Sequence, residues 1–239
     1  LHRTVLTQGV PESLLAKRIE PWAKALPDHI RLAYLPDPMA MKLRLSAYGG
    51  DRSSLADEIE FEIGKLLPLI ADCVFGYDDD TLAGVTGKLL QSIDAKLSVA
   101  ESCTGGNISH LITRTPGSSG WYCGGVTAYS NDVKISLLGV SPETLSRYGA
   151  VSSQTAREMA RGVRKMMNTE YSVATTGIAG PDGGSAEKPV GTVWISVEGP
   201  AKFICEKFVF GGDRERNILR ASQTALQMLR KLIAEENKK

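Results

Sequence analysis

Apolar and polar residues alternate through the first 80 positions in a pattern that predicts a small α+β unit. In the clearest strand, Leu43, Leu45 and Ala47 alternate with polar residues, as in a strand with one buried face. The predicted elements are a strand over 3–8, a helix with Pro11 at its first position, strands over 29–35 and 41–48, a helix capped by Asp51 or Ser53 that runs to Ile70, and a strand over 73–77. This β-α-β-β-α-β order is that of the split, ferredoxin-like unit.

The pattern changes after the glycine-rich, acidic stretch 76–80, which we interpret as a domain boundary between residues 1–80 and 81–239. Strands and helices then alternate, which predicts a three-layer α/β/α sandwich with a mostly parallel sheet. The predicted strands cover 97–101, 124–128, 171–176, 190–197 and 203–210. The predicted helices are 81–95, one opening near Ile108, 131–138, one from Pro142 to a stop at Gly149, one capped by Ser152 or Ser153 with Ala156, Met159, Ala160, Val163, Met166 and Met167 on one face, and a long one capped by Asp213.

Composition narrows the functional classes. The 239 residues, 42% of them hydrophobic, suffice for one large domain or two small ones. A formal net charge of +1 provides no basic excess of the kind that nucleic-acid binding requires, so no nucleic-acid partner is expected. No apolar run approaches the roughly 20 residues of a membrane span, and no signal peptide opens the chain, so no membrane association is expected. The chain begins with Leu1 rather than methionine, which fits a fragment or processed form of something longer.

The four cysteines favour a reducing compartment and no metal. Cys73, Cys103, Cys123 and Cys205 are widely spaced and form no C-x-x-C pair, which argues against a zinc knuckle and a redox dithiol. We therefore expect a cytoplasmic protein. No cluster of histidine, cysteine or acidic residues has metal-ligand spacing near the loops described next, so we expect neither a metal nor another cofactor.

Two glycine-containing loops follow predicted strands, at the sheet edge where open α/β sheets bind ligands. They cover residues 101–107 (ESCTGGN) and 175–184 (TTGIAGPDGG). Glycine allows backbone N–H groups to approach a ligand closely. Neither loop fits a P-loop, a dinucleotide fingerprint or a G-x-S-x-G elbow. The residues alone leave open whether each loop is a binding loop or merely a tight turn.

Several strings in the second half resemble the C-terminal domain of the CinA (competence/damage-inducible protein A) family. They are VAESCTGG at 99–106, YCGGVTAYSNDVK at 122–134, the loop 176–184, and KPVGTV at 188–193. Residues 1–80, with GVPES at 9–13, are similar to the small linking domain that precedes it. The resemblance implies an amidohydrolase that converts nicotinamide mononucleotide (NMN) and water into nicotinate mononucleotide and ammonia without a metal, in pyridine nucleotide salvage. It also implies a homodimer.

Within this resemblance, Ser102 is the expected nucleophile. Amide hydrolysis needs a nucleophile, a base and hydrogen-bond donors for the oxyanion. The backbone N–H groups of Thr104, Gly105 and Gly106 are expected to bind the oxyanion or a phosphate. The alternative is that Ser102 merely caps the following helix. Cys103 is the rival nucleophile, because a thiol at a helix N-terminus can be activated, although no histidine partner is evident.

Lys134 is the expected base. If Asn131 caps its helix, Lys134 occupies the third helical position, where the helix dipole disfavours a cation and lowers the pKa, an effect that Asp132 partly offsets. The alternative is a solvated surface lysine. The resemblance places Tyr129 in the site, where it relays a proton or orients the amide. Otherwise Tyr129 is a half-buried strand aromatic.

The remaining site residues rest on the resemblance. Glu101, Ser119 and Thr176 match positions that line the family's pocket, and Gly177 and Gly180 belong to the second loop. Each could otherwise be an ordinary loop or capping residue. Arg216 matches the family's substrate-binding arginine and, with Arg214, is expected in the first turn of the last helix, where an anionic ligand would relieve the unfavourable position of a cation. We expect Arg216 to bind the phosphate of NMN, and His110 to be a structural helix residue.

Two functions are consistent with these residues. The first is the NMN amidohydrolase. The second is a non-catalytic nucleotide-binding or assembly module that retains the pocket and hydrolyses nothing. The combination of Ser102, Tyr129 and Lys134 favours the enzyme, because a binding module does not need a nucleophile with a base nearby.

Overall fold

The computed structural model describes residues 1–37 and 40–238 as a mixed α/β protein with two sheets. The chain divides into two compact units, Leu1–Thr81 and Leu82–Lys239. No helix among the described residues combines the length and apolar character needed to cross a membrane.

The first unit has the element order that the sequence pattern predicts. Its elements are β1 (His2–Thr7), α1 (Glu12–Lys24), β2 (Ile30–Pro36), β3 (Met41–Ala47), α2 (Arg52–Ile70) and β4 (Val74–Tyr77). The strands form one antiparallel sheet in the order β2-β3-β1-β4. Of the two predicted caps of α2, Asp51 is the one observed, since its carboxylate accepts the Ser54 N–H. Pro11 precedes α1 rather than beginning it.

Alternation in β3 produces the core of this unit, as predicted. Leu43 and Leu45 point to the buried side, and the apolar stripe of α2, including Ile59 and Ile63, packs against the same cluster. The apolar area removed from water in this cluster is the main contribution to the stability of the unit.

The second unit contains a five-stranded sheet, with helices in the first two connections between its strands. Its elements are α3 (Leu82–Ser92), β5 (Leu97–Glu101), α4 (Asn107–Thr113), a 3₁₀ helix (Ser118–Gly120), β6 (Tyr122–Thr127), α5 (Asn131–Ser136), α6 (Pro142–Tyr148), α7 (Ser153–Met167), β7 (Tyr171–Gly177), β8 (Thr192–Glu198), β9 (Phe203–Val209) and α8 (Arg214–Glu236). Ser152 caps α7 and Asp213 caps α8.

Four of the five strands of this sheet run in the same direction, as predicted, and β8 runs in the opposite direction. The strand order is β6-β5-β7-β8-β9, in which β5 pairs in parallel with β6 and β7, while β8 pairs antiparallel with β7 and β9. The first two pairs are joined through helices, whereas β7 and β8 are joined only by the loop 178–191. A parallel pair needs a crossover connection, and without a helix the chain returns antiparallel.

Small side chains allow α7 to pack closely on the sheet. Ala160 and Met159 of this helix contact Ala100 of β5 and Ala174 of β7 in one buried cluster. Met166 is an exception to the predicted apolar face, because 48% of it is exposed. It lies at the edge of the helical stripe, where the packing surface ends.

Candidate active site

A cavity of about 290 Å³ opens where β5, β6 and β7 end. The carboxyl ends of these three parallel strands meet at one edge of the sheet, and each leads into a loop. The residues lining the cavity come from those loops, the end of β7, the segment before α7, and the beginnings of α5 and α8: Ser102, Cys103, Tyr129, Asn131, Lys134, Ala150, Val151, Thr176, Gly177, Ile178, Ala179, Gly180, Asp182, Gly183 and Arg214.

Ser102 presents an unpaired hydroxyl to this cavity. The residue directly follows β5, its backbone N–H donates to the Thr175 carbonyl (2.9 Å), and its side chain is buried apart from the cavity. Within the described part of the chain its Oγ forms no hydrogen bond, and the N-cap of α4 is Gly106. Ser102 is therefore not the helix cap of the alternative interpretation.

Cys103 also lines the cavity, but its surroundings oppose thiolate formation. Burial, together with the nearby Glu101 carboxylate, raises the pKa of the Cys103 thiol to about 12, although a backbone hydrogen bond and the charges of Lys134 and Arg214 act in the opposite direction. Because the thiolate is the nucleophilic form, this environment argues against Cys103 as the attacking group.

The loop after β5 uses two of its predicted oxyanion donors internally. The Gly105 N–H donates to the Ser102 carbonyl (3.1 Å), and the Gly106 N–H donates to the Glu101 carboxylate (3.0 Å). In the described chain, the N–H groups of Cys103 and Thr104 donate to no other residue. Of these two residues Cys103 lines the cavity and Thr104 does not, so the Cys103 N–H is the donor available to an oxyanion in the cavity.

Glu101 organises this loop and does not line the cavity. Its buried carboxylate accepts hydrogen bonds from the backbone N–H groups of Gly106 (3.0 Å), Ile108 (3.0 Å) and Ser109 (2.9 Å) and from the Ser109 hydroxyl (2.8 Å). The Ser109 hydroxyl in turn accepts from the Tyr122 hydroxyl (2.7 Å). The negative charge also lies at the positive end of α4, where it is favourable.

We expect Glu101→Ala to lower the free energy of unfolding by about 3 kcal/mol or more, because hydrogen bonds to charged groups contribute roughly 1.5–3 kcal/mol and several buried donors lose their acceptor. Urea unfolding measures the change. Glu101→Gln, which keeps the shape and one acceptor, should lose less. Glu187→Ala, in an exposed loop, serves as the control and should leave stability unchanged. Equal stability of Glu101→Ala and the control would contradict the organising role.

Lys134 is a buried amine rather than a surface lysine. Only 1% of the residue is exposed, and Nζ donates to the carbonyl oxygens of Ala128 (2.8 Å) and Tyr129 (3.4 Å). Burial lowers the pKa of Lys134, with a smaller opposing effect from Cys103. The predicted cap was wrong: Ser130 caps α5, so Lys134 is the fourth helical residue, and desolvation takes the place of the helix dipole as the main cause.

Tyr129 and Arg214 meet at the cavity from different elements. Tyr129 follows β6 and is 61% exposed, so it is not a half-buried strand aromatic. Its hydroxyl accepts a hydrogen bond from Arg214 Nη2 (3.1 Å), and Nη1 of the same guanidinium donates to the Gly180 carbonyl (2.7 Å). Arg214 thus joins the loop after β6 to the loop after β7.

The three predicted residues of the second loop all line the cavity. The Thr176 hydroxyl donates to the Ala150 carbonyl (2.7 Å), which connects the end of β7 to the segment before α7. Gly180 has a φ of +92°, and a Cβ there would lie 2.5 Å from a methyl carbon of Val190. Glycine is therefore needed at position 180 for backbone conformation and for space.

The family described as CinA C-terminal domain matches residues 79–233 of this chain. The chain belongs to the CinA family. The CinA-like protein of Flavobacterium psychrophilum is 47% identical over 234 residues, which cover 98% of this chain and 56% of that protein. The CinA-like protein of Cytophaga hutchinsonii is 42% identical, with coverage of 98% and 56%. The chain thus spans about half the length of these curated relatives.

Solved CinA-family structures correspond to part of the chain. The competence/damage inducible protein CihA from Agrobacterium tumefaciens is 41% identical, with a TM-score of 0.62 over 63% of this chain and 93% of that chain. A CinA superfamily protein from Escherichia coli is 34% identical, with a TM-score of 0.61 over 65% of this chain and 92% of that chain. The family resemblance inferred from the sequence is therefore confirmed.

Three residues matched to the CinA pattern, Glu101, Ser119 and Arg216, do not line the cavity. Ser119 is exposed on the 3₁₀ helix. Arg216 has a side chain that is 70% exposed, and its Nε lies 3.6 Å from the Asp213 carboxylate of its own helix cap. Thr104, also expected to contact substrate through its backbone, is buried, and its hydroxyl pairs with the hydroxyl of Thr175 (2.7 Å). His110 lies exposed on α4.

Other lining residues of this CinA-family site were missed by the sequence analysis. Asp182 is the one charged residue of the loop 175–184, and a single charge in a glycine-rich loop could have indicated that this residue lines the site. Arg214 was noted but given no role. Ala150 and Val151 carry no chemical signal, since only the packing of the segment before α7 brings them to the cavity. No group of metal-ligating side chains occurs in the described part of the chain.

Proposed function

We propose that the unit 82–239 is an amidohydrolase that converts NMN and water into nicotinate mononucleotide and ammonia. The observation that carries the proposal is that two groups line one cavity: the hydroxyl of Ser102, which has no hydrogen-bond partner among the described residues, and the buried amine of Lys134 with its lowered pKa. A nucleophilic hydroxyl needs a base that accepts its proton, and burial, which lowers the pKa of Lys134, favours the neutral amine that can do so.

In the first half-reaction the Ser102 oxygen attacks the carboxamide carbon while Lys134 accepts the hydroxyl proton. The two carbonyl acceptors of Lys134 bind the two N–H groups of its neutral amine, which leaves the lone pair for this proton. The oxyanion accepts a hydrogen bond from the backbone N–H of Cys103, which lines the cavity. The C–N bond then breaks as Lys134 returns the proton to the leaving nitrogen. Ammonia departs, and the acyl group remains attached to Ser102 as an ester.

In the second half-reaction water attacks the ester carbonyl. Lys134 accepts a proton from this water, and the same backbone donor stabilises the second oxyanion. The bond between the carbonyl carbon and Ser102 breaks, and the serine oxygen recovers the proton from Lys134. Nicotinate mononucleotide leaves, and both side chains return to their starting states without a metal or other cofactor.

The phosphate of NMN is assigned to Arg214 in place of Arg216, because Arg214 lines the cavity at the positive end of α8. We expect Arg214→Ala to lower kcat/KM for NMN by about ten- to a hundred-fold, since a charge-assisted hydrogen bond contributes roughly 1.5–3 kcal/mol. The loss should be much smaller for nicotinamide riboside, which lacks the phosphate. Arg216→Ala is the matched control. A larger effect of Arg216→Ala would return the anchor to that residue.

The decisive experiment incubates the purified chain with NMN and quantifies both ammonia and nicotinate mononucleotide, with and without excess EDTA. Equimolar products in both conditions are expected. Loss of activity with EDTA that a divalent ion restores would contradict the metal-free mechanism. Binding of NMN without release of ammonia would instead support the non-catalytic module.

For the fold, we propose a three-layer arrangement of the second unit, with α7 on one face of the sheet and α8 on the other. For residues 1–80 we propose a linking role. The alternation of β5 and β7 side chains supports two covered faces, since Ala100 and Ala174 pack with α7 while the neighbouring Val99 and Val173 are also fully buried. A cytoplasmic homodimer is proposed, and sedimentation of the purified chain tests the dimer.

A further inference from the structure

Asn217 is a buried amide on α8 that the mechanism does not use. It is the fourth residue of the helix, one turn after Arg214, and only 1% of it is exposed. Its Nδ2 donates to the carbonyls of Ala179 (3.0 Å) and Gly212 (3.2 Å). Ala179 belongs to the wall of the cavity, and Gly212 lies just before the helix.

Asn217 and Arg214 bind consecutive carbonyls of the same loop. Arg214 holds the Gly180 carbonyl (2.7 Å) and Asn217 holds the Ala179 carbonyl. The two attachments differ in one respect, because Arg214 faces the cavity whereas Asn217 is not among the residues that line it. A ligand anion competes with Gly180 for the guanidinium, but it cannot reach the Asn217 amide.

We infer that Asn217 is a positioning residue that holds the cavity wall at Ala179–Gly180 while Arg214 engages the substrate. Packing alone does not account for an amide here, since its Oδ1 is buried without a hydrogen-bond partner in the described chain. An unpaired buried acceptor is unfavourable for stability, so the useful part of the side chain is its donor. As a consequence, the wall keeps its place whether or not the guanidinium is occupied. The kinetic consequence of this inference rests on the proposed function.

Amide hydrogen exchange on the ligand-free full chain tests the attachment independently of activity. The Ile178 N–H donates to the Thr192 carbonyl, and the Gly191 N–H donates to the Ile178 carbonyl, so both report on the loop. In Asn217→Leu these amides should exchange about tenfold faster or more, because the local opening becomes easier. Gln227→Leu is the matched control, since Gln227 is another buried amide of α8, but its partner is Arg230. Asn217→Ser, whose donor is too short to reach Ala179, replaces Asn217→Leu if that variant does not fold.

Kinetics with NMN distinguish positioning from a purely structural role. We expect Asn217→Leu to raise KM about tenfold with a much smaller change in kcat, because Ser102 and Lys134 belong to other segments. Gln227→Leu should leave both constants unchanged. Unchanged exchange in Asn217→Leu, or faster exchange with an unchanged KM, would overturn the inference. If the wild-type chain releases no ammonia, the proposed function fails, and the exchange result alone decides whether Asn217 holds the loop.

Discussion

Ser102→Ala is expected to lower turnover of NMN by about three orders of magnitude or more, whereas Cys103→Ala should lose little. The Ser102 hydroxyl faces the cavity without a hydrogen-bond partner in the described chain, while burial raises the pKa of the adjacent Cys103 thiol to about 12. At neutral pH the thiolate is therefore scarce. Steady-state ammonia release measures both variants.

Comparing Ser102→Ala with Cys103→Ala separates loss of the nucleophile from general damage to the loop. Both residues occupy the same loop and are similarly buried, so general damage to the loop would affect both variants alike. Binding of NMN to Ser102→Ala, measured by calorimetry, should persist. The reverse ranking of the two variants would assign the chemistry to the thiol and would contradict the Ser102 mechanism.

Lys134→Met is expected to lower turnover by about 10²–10⁴-fold, the usual contribution of a positioned base, and to raise Tm. Methionine fills a similar volume without the cost of burying an amine. Lys134→Arg should be equally inactive, because a guanidinium does not deprotonate at working pH. Retained activity in Lys134→Arg would exclude a proton-accepting role.

The burial of Lys134 also predicts how the activity and the stability of the wild-type chain depend on pH. The pKa of Lys134 lies below its ordinary value of 10.5, and the active form is the neutral amine, so kcat/KM should rise as pH increases through the lowered pKa. Between that lowered pKa and 10.5 the unfolded chain binds more protons than the folded one, so stability contributed by this residue also rises with pH. Lys134→Met should lose this part of the stability profile, which urea titrations at several pH values would detect.

Helix and strand ends that depend on neighbouring residues in the chain were predicted closely from the sequence. The strand Leu97–Glu101 was predicted with its observed bounds, and Asp213 was predicted as the cap of α8. The cap of α5 was missed by one residue, because Ser130 and Asn131 are both good capping residues and only the backbone conformation distinguishes them. The opposite direction of β8 was not predicted, because it depends on how the loop after β7 returns the chain to the sheet.

The sequence by itself determined the alternation of strands and helices and the positions of the two loops, because these depend on the spacing of residues near each other in the chain. It also determined the family to which the chain belongs, because several long stretches of the chain match the sequence pattern of that family. Only the tertiary structure decided which side chains face the cavity. Arg214 and Arg216 are two positions apart on one helix and therefore point in different directions, and the packing of α8 selects Arg214. Likewise, Lys134 is a plausible base because neighbouring elements bury it, and burial depends on residues distant in the chain.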